Sequence, residues 1–343
     1  MNTLTGPGAG LANGGGVTPN WFAAVMGTGI VAVGAAGLPV QLPGLRVLAT
    51  LTWLAAAALL VALLVASAKQ WRRAATHAAD PIMLHFYGAP PMALMTVGGG
   101  ALVLSGAAPA AVALDAVLWT IGTVGGLATA VYIPYRMITR QQRDLPFGGW
   151  LMPVVPPMVS AANGALLAPH VPFSADIEVV STALFGASLL AALLVLAQLW
   201  NRLLTGPPLP AKLVPTLWIV LGPLGQSITA AHLLWDDPLA YTLPVWGFAM
   251  LWLVLVTAVT IKTKPPFGPT WWGFTFPTGT LVTGTTAAAA DTGSPMLTAA
   301  AVALFLLLLT LWATVSVLTL RHAVHRREGQ PVAVHHLTPE RNQ

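Results

Sequence analysis

Of the chain's 343 residues, 56% are hydrophobic and only 7% are Asp, Glu, Lys or Arg, against roughly 25% charged residues in an ordinary soluble domain. That deficit, with apolar runs recurring from end to end, excludes a soluble globular domain. It also excludes a nucleic-acid module, which needs a clustered basic surface with aromatic platforms; the net charge of +5 must come from topology, and the absence of cysteine removes disulfide and thiol chemistry.

A membrane-spanning helix takes about 20 mostly apolar residues, and the chain offers ten candidates. Residues 1–17 are Gly-rich, lack a basic leader and read as a disordered tail. Span 1 (19–38) contains WFAAVMGTGIVAVG, and span 2 (46–68) the bulky, uniform LTWLAAAALLVALLVAS. Span 3 (82–106) contains FYGAPPMALMTVGGG, with His85 near its start, and span 4 (109–133) carries Asp115. Span 5 (150–169) contains WLMPVVPPMVSAANG and is followed by span 6 (179–200). Span 7 (213–234) contains LWIVLGPLGQSITAAH, with His232 near its end, and precedes span 8 (239–261). Span 9 (271–290) opens with WWGFTFPTGTLVTGTT, and span 10 (295–320) is again uniformly apolar. Residues 326–343 form a polar tail, so 18–325 read as one ten-helix transmembrane domain.

The odd spans repeat a pattern that the even ones lack. Each opens on aromatics, meets Gly or Pro one to two turns in, and continues with small or hydroxyl residues. The break points Gly27, Pro91, Pro157, Pro223 and Pro277 are 64, 66, 66 and 54 residues apart, one helical hairpin each. A mid-helix proline frees the carbonyl four residues back, here those of Tyr87, Pro153, Ile219 and Gly273. Lipid cannot satisfy such a carbonyl, so the breaks belong beside protein or water. The pattern predicts five kinked inner helices around a central pathway, enclosed by five smooth outer ones. Close packing alone also explains one proline; four in register with a glycine favour a pathway.

Lys and Arg set the orientation. Lys69, Arg72, Arg73, Arg136, Arg140, Arg143, Arg202, Lys212, Lys262, Lys264 and Arg321 fall on one side, with Arg46 alone among the acidic residues of the other. The expectation is a multi-pass plasma-membrane protein with both termini cytoplasmic.

No Asp or Glu lies on an inner span, which argues against a cation channel or proton relay. Asp115, on an outer span near its extracellular start, reads as an interfacial or interhelical polar contact more than as a residue with a role in transport. His85 and His232 are candidate pH sensors, since an unperturbed imidazole titrates near pH 6.5. There is no HExxH, no GxSxG and no carboxylate pair at membrane depth, so no enzyme, metal or cofactor is expected. Anions remain, held by hydroxyls and amides at the breaks and gathered by basic loops. The expected lining is Gly27, Thr28, Pro91, Pro157, Ser160, Asn163, Pro223, Gln226, Ser227, Pro277 and Thr280. Thr229, Thr278 and Thr283 are further inner-span polar residues, although Thr278 and Thr280, two apart, cannot share a face.

WFAAVMGTGIVAVG, VPPMVSAANG and above all WWGFTFPTGTL resemble the tellurite-resistance/dicarboxylate transporter family, which includes TehA-like proteins and slow-type anion channels. The resemblance covers about residues 18–325. It implies five hairpins in quasi-fivefold arrangement around a pore, a homotrimer, and a pore occluded by a phenylalanine of the ninth helix. Phe276 is the best match, with Phe274 as the alternative. Two functions follow: a passive anion channel, or a secondary, proton-coupled transporter of a C4-dicarboxylate, sulfite or tellurite. The inner spans carry no cation pair to anchor a dicarboxylate, which favours small monovalent anions. The partners expected are small inorganic or organic anions, the lipid bilayer and further copies of the chain, without nucleic acid.

Overall fold

The computed structural model describes residues 16–139 and 145–328. Most of both expected tails, residues 1–15 and 329–343, lies outside that range, as do Arg140 and Arg143. Ten principal helices follow the predicted spans: α1 (Phe22–Gly37), α2 (Leu45–Lys69), α3 (Ala89–Ser105), α4 (Pro109–Thr139), α5 (Pro156–Leu167), α6 (Ser174–Thr205), α7 (Leu221–Leu234), α8 (Leu239–Thr263), α9 (Thr275–Thr292) and α10 (Pro295–Glu328). No strand occurs among the described residues. The last helix continues past the predicted end at 320, into the expected C-terminal tail. Eight helices lie in stretches long and apolar enough to cross a membrane. The exceptions are α5, whose 12 residues are too short, and α9, which carries seven threonines.

The predicted inner and outer classes differ sharply in burial. The apolar windows containing α1, α3 and α7 are each 72% buried, whereas those of the even helices are 17–28% buried. Large side chains such as Leu51, Val61, Val124, Leu194 and Val254 are exposed on the even helices, as a lipid-facing surface requires. The odd helices close a ring: α1 packs on α3, α3 on α5, α5 on α7, α7 on α9, and α9 back on α1. Each even helix lies against its own inner partner and the next one, so α2 spans α1 and α3, and α10 spans α9 and α1. The result is an all-α, five-hairpin membrane bundle in quasi-fivefold order.

Indole N–H groups tie the units together. Trp53 of α2 donates to the Val97 carbonyl of α3 at 2.9 Å, and Trp119 of α4 to the Ser160 carbonyl of α5 at 2.8 Å. Trp246 of α8 donates to Thr285 Oγ1 of α9 at 3.0 Å, and Trp312 of α10 to Thr28 Oγ1 of α1 at 3.2 Å. Each bond joins an outer helix to the following inner helix. A buried indole N–H without an acceptor is costly, so these bonds fix the rotation of the inner helices as well as their neighbours.

The breaks differ from the expectation in kind. The prolines do not kink a continuous α-helix; they begin one. A 3₁₀ turn or segment precedes each inner helix, at Pro19–Trp21, Phe86–Gly88, Gly148–Leu151, Ala211–Val220 and Pro269–Phe274. Pro91, Pro157, Pro223 and Pro277 sit in the first turn of the α-helix that follows. First-turn amides have no intrahelical acceptor, so a proline there removes nothing. Gly27 lies inside unbroken α1. Its role is close approach: a Cβ at Gly27 would stand 2.0 Å from Thr275 Oγ1 on α9.

Candidate functional site

Two cavities lie on the axis of the inner ring. The larger, about 240 Å³, is lined by all five inner helices: Ile30 and Val33 from α1, Thr96 and Gly99 from α3, Asn163 from α5, Gln226, Thr229 and His232 from α7, and Phe276, Thr283 and Thr286 from α9, among others. Its walls hold no Asp, Glu, Lys or Arg. The smaller, about 30 Å³, lies toward the 3₁₀ ends of the inner helices, between Met26, Met92, Met152, Ile219, Trp272, Phe276 and Pro277. Apart from Thr216 and Thr270 its wall is apolar or glycine. Phe276 is the one residue common to both linings. It is 5% exposed, so it does not project to a surface.

Phe274 borders neither cavity. Its ring packs edge-on against Trp218 and Trp271, with centroids 5.1 and 5.5 Å away. The two phenylalanines are two residues apart, with Phe274 ending the 3₁₀ segment and Phe276 opening α9, and so they point differently.

Of the expected lining, Asn163 and Gln226 reach the larger cavity and Pro277 the smaller. Gly27, Thr28, Pro91, Pro157, Ser160, Pro223, Ser227 and Thr280 are in neither lining. Most have identifiable neighbours instead. Thr28 accepts the Trp312 indole. Pro91 packs on Gly125 of α4. Ser160 Oγ lies 2.7 Å from Thr123 Oγ1 of α4. Ser227 donates to the Leu224 carbonyl and Thr280 to that of Pro277. Thr278 likewise turns back on its own helix, donating to the Phe274 carbonyl at 2.7 Å. A buried hydroxyl outside the lining that bonds the carbonyl three or four residues back is self-satisfied.

Thr96, Gly99, Gly100 and Thr286 are lining residues that sequence reasoning missed. The signal was present in TVGGG of span 3, where a hydroxyl precedes three residues with no side chain.

The two histidines separate. His232 lines the larger cavity, and its Nδ1 lies 2.6 Å from Asp291 Oδ1 on α9. His85 is 2% exposed and lines neither cavity. It stacks on Trp150 at 5.8 Å and meets Phe147 edge-on at 5.4 Å. Asp115 is fully buried and its Oδ1 lies 3.3 Å from Asn163 Nδ2, the interhelical contact anticipated for it.

Comparison with known proteins agrees with this architecture. The family model for the voltage-dependent anion channel (SLAC1) matches residues 16–320. An uncharacterized transporter of Methanocaldococcus jannaschii is 27% identical over 285 residues, covering 77% of this chain and 81% of its own. The sulfite efflux pump SSU1 of Trichophyton rubrum is 25% identical over 339 residues, covering 88% of this chain and 89% of its own. With a closed ring of inner helices, an axial site free of fixed charge and a family match across nearly the whole described fold, the chain belongs to the voltage-dependent anion channel family, whose members are channels and transporters rather than enzymes.

Proposed function

We propose that the protein is a passive channel for small anions, gated by the phenyl ring of Phe276. In this reading all ten helices cross the plasma membrane with both termini cytoplasmic, and the protein works as a homotrimer. The observation that carries it is the position of Phe276 between two cavities that no other residue shares. A phenyl ring offers an ion no ligand and excludes water, so the pathway conducts when the ring swings aside. The larger cavity has amide and hydroxyl groups but no fixed cation; weak binding suits fast passage, and the missing cation pair disfavours dicarboxylates.

The test is conductance of the purified protein in planar bilayers. Phe276→Ala is expected to fold and to carry much larger anion current than wild type, while Phe274→Ala leaves current unchanged and lowers stability by about 3–5 kcal/mol, the usual cost of emptying a buried aromatic site. A rise with Phe274→Ala alone would move the gate to that residue. No rise with either would end the gating model.

A second reading, coupled efflux of sulfite, has its own support. Relatives are named sulfite efflux pumps, and His232 of the wall is paired with Asp291 of α9. Liposomes containing a pH dye separate the two. Anion movement without proton movement supports the channel; uphill accumulation that requires proton flow supports the transporter.

A further inference from the structure

Among the described residues, Asp115 is the one carboxylate held between the helices of the bundle and not at its end. It belongs to α4, an outer helix, yet none of it is exposed. The carboxylate passes through a slot in α3 opened by Gly98, where a Cβ would stand 2.4 Å from Asp115 Oδ1 and 3.2 Å from its Cα. Beyond the slot, Oδ1 accepts from Asn163 Nδ2 of α5 at 3.3 Å. The same Nδ2 donates to the Met95 carbonyl at 2.8 Å. Met95 O only accepts, which fixes which end of the amide is nitrogen. Both amide protons are thus directed away from the larger cavity, which Asn163 lines. Asn163 Oδ1 is pressed on Gly99, where a Cβ would lie 2.2 Å away. Asp115 Oδ2 is buried without a hydrogen-bond partner among the described residues.

Among the described residues no ion pair involves this carboxyl. The elements that pack on α4 are α3, α5 and the 3₁₀ turn Phe86–Gly88; neither Ala89–Ser105 nor Pro156–Leu167 contains a charged or titratable side chain, and the turn contributes the phenol of Tyr87. At the same end of the bundle, Arg46 bonds the Leu104 carbonyl at 3.3 Å, His170, Asp176 and Glu178 are exposed, and His232 pairs with Asp291 of α9.

We propose that Asp115 is a positioning residue for anion passage: as a carboxylate it holds the Asn163 amide protons out of the cavity and adds negative charge behind the wall, and as a carboxylic acid it does neither. Protonation removes the charge and weakens the acceptor, so the N–H held by Asp115 is released for an anion while the other stays on the Met95 carbonyl. The anion-accepting state is therefore the protonated one, and flux rises toward acid pH. This rests on the reading of the larger cavity as an anion pathway.

Asp115→Asn keeps the shape and removes the charge. Anion flux into liposomes is measured between about pH 5 and 8 in wild type, in Asp115→Asn, and in both again with His232→Gln to remove the imidazole of the lining. The expected result is a severalfold rise at the alkaline end for Asp115→Asn, and loss of the pH dependence that survives His232→Gln. Asn163→Ala is expected to flatten the same component, and adding Asp115→Asn to it is expected to change nothing further. If Asp115→Asn fails to fold, Asn163→Ala alone still decides. An unaltered profile in either folded variant, or additive effects, overturns the proposal. Absence of anion flux even from Phe276→Ala would instead overturn the anion pathway itself.

Discussion

His85 and His232 are chemically identical and do different work because of what surrounds them. His85 is enclosed by Trp150 and Phe147, and its Nδ1 has no hydrogen-bond partner among the described residues. It behaves as an aromatic wedge where the 3₁₀ ends of α3 and α5 meet. His85→Phe keeps that wedge, so flux and its pH profile are expected to match wild type; a changed profile would make His85 a sensor after all. His232 sits in the cavity wall with Asp291 as its partner, so His232→Gln, unlike His85→Phe, is expected to change flux in the same assay. The sequence placed both imidazoles at span ends and did not distinguish them. What distinguishes them is a partner 59 residues away, Asp291, and an aromatic box built from another span. Contacts of that range have no periodicity to betray them.

Inner helices meet through glycines, and this fixes their separation. A Cβ on Gly225 of α7 would stand 2.4 Å from the Thr280 backbone carbon of α9, whereas one on Gly186 of α6 would meet nothing within 4 Å. Backbone cannot step aside as a side chain can. Gly225→Ala is therefore expected to cost about 1–3 kcal/mol by overpacking, read as a lower melting temperature in detergent. Gly186→Ala, on a lipid-facing helix, is expected to be neutral or stabilising, since Ala is the better helix former. Equal effects would show that helix propensity and not close approach controls these positions. The elements themselves were legible: hydropathy located each helix, with ends off by up to about eight residues, and the Gly and Pro repeat separated inner from outer. The nature of the breaks was not. A proline in the first turn of a helix and one in its middle look alike in sequence, because only the structure before the proline distinguishes them. Which hydroxyls face the axis was equally hidden. That depends on helix rotation, set here by glycine contacts and by indoles such as Trp312, which bonds Thr28 from 284 residues away.

At the scale of the molecule, the five hairpins sort charge as well as packing. Lys69, Arg73, Lys212, Lys264 and Arg321 lie at the end where the inner helices begin, and Asp176, Glu178, Asp236, Asp237 and Asp291 at the other. The smaller cavity opens toward the basic end. Its wall includes Thr270, whose hydroxyl donates to the Lys212 carbonyl at 2.9 Å, so the Lys212 backbone lies beside that wall. With no carboxylate in either lining, the field an ion meets is positive on approach and neutral inside. Reversal potentials are expected to follow the anion gradient, and a potential that tracks potassium would refute this. The contribution of the entrance is separable. A surface charge acts over a Debye length, about 8 Å at 0.15 M salt and about 3 Å at 1 M. Lys212→Gln, in the conducting Phe276→Ala background, is therefore expected to reduce anion current entering from the basic end severalfold at low salt and hardly at all at about 1 M. Current entering from the acidic end should be little affected, because the far mouth is more than a Debye length away. A loss that persists at high salt would mean that Lys212 binds the ion directly instead of concentrating it at the entrance. A loss equal in both directions would mean that the substitution has disturbed the pathway behind Thr270 and not the field in front of it.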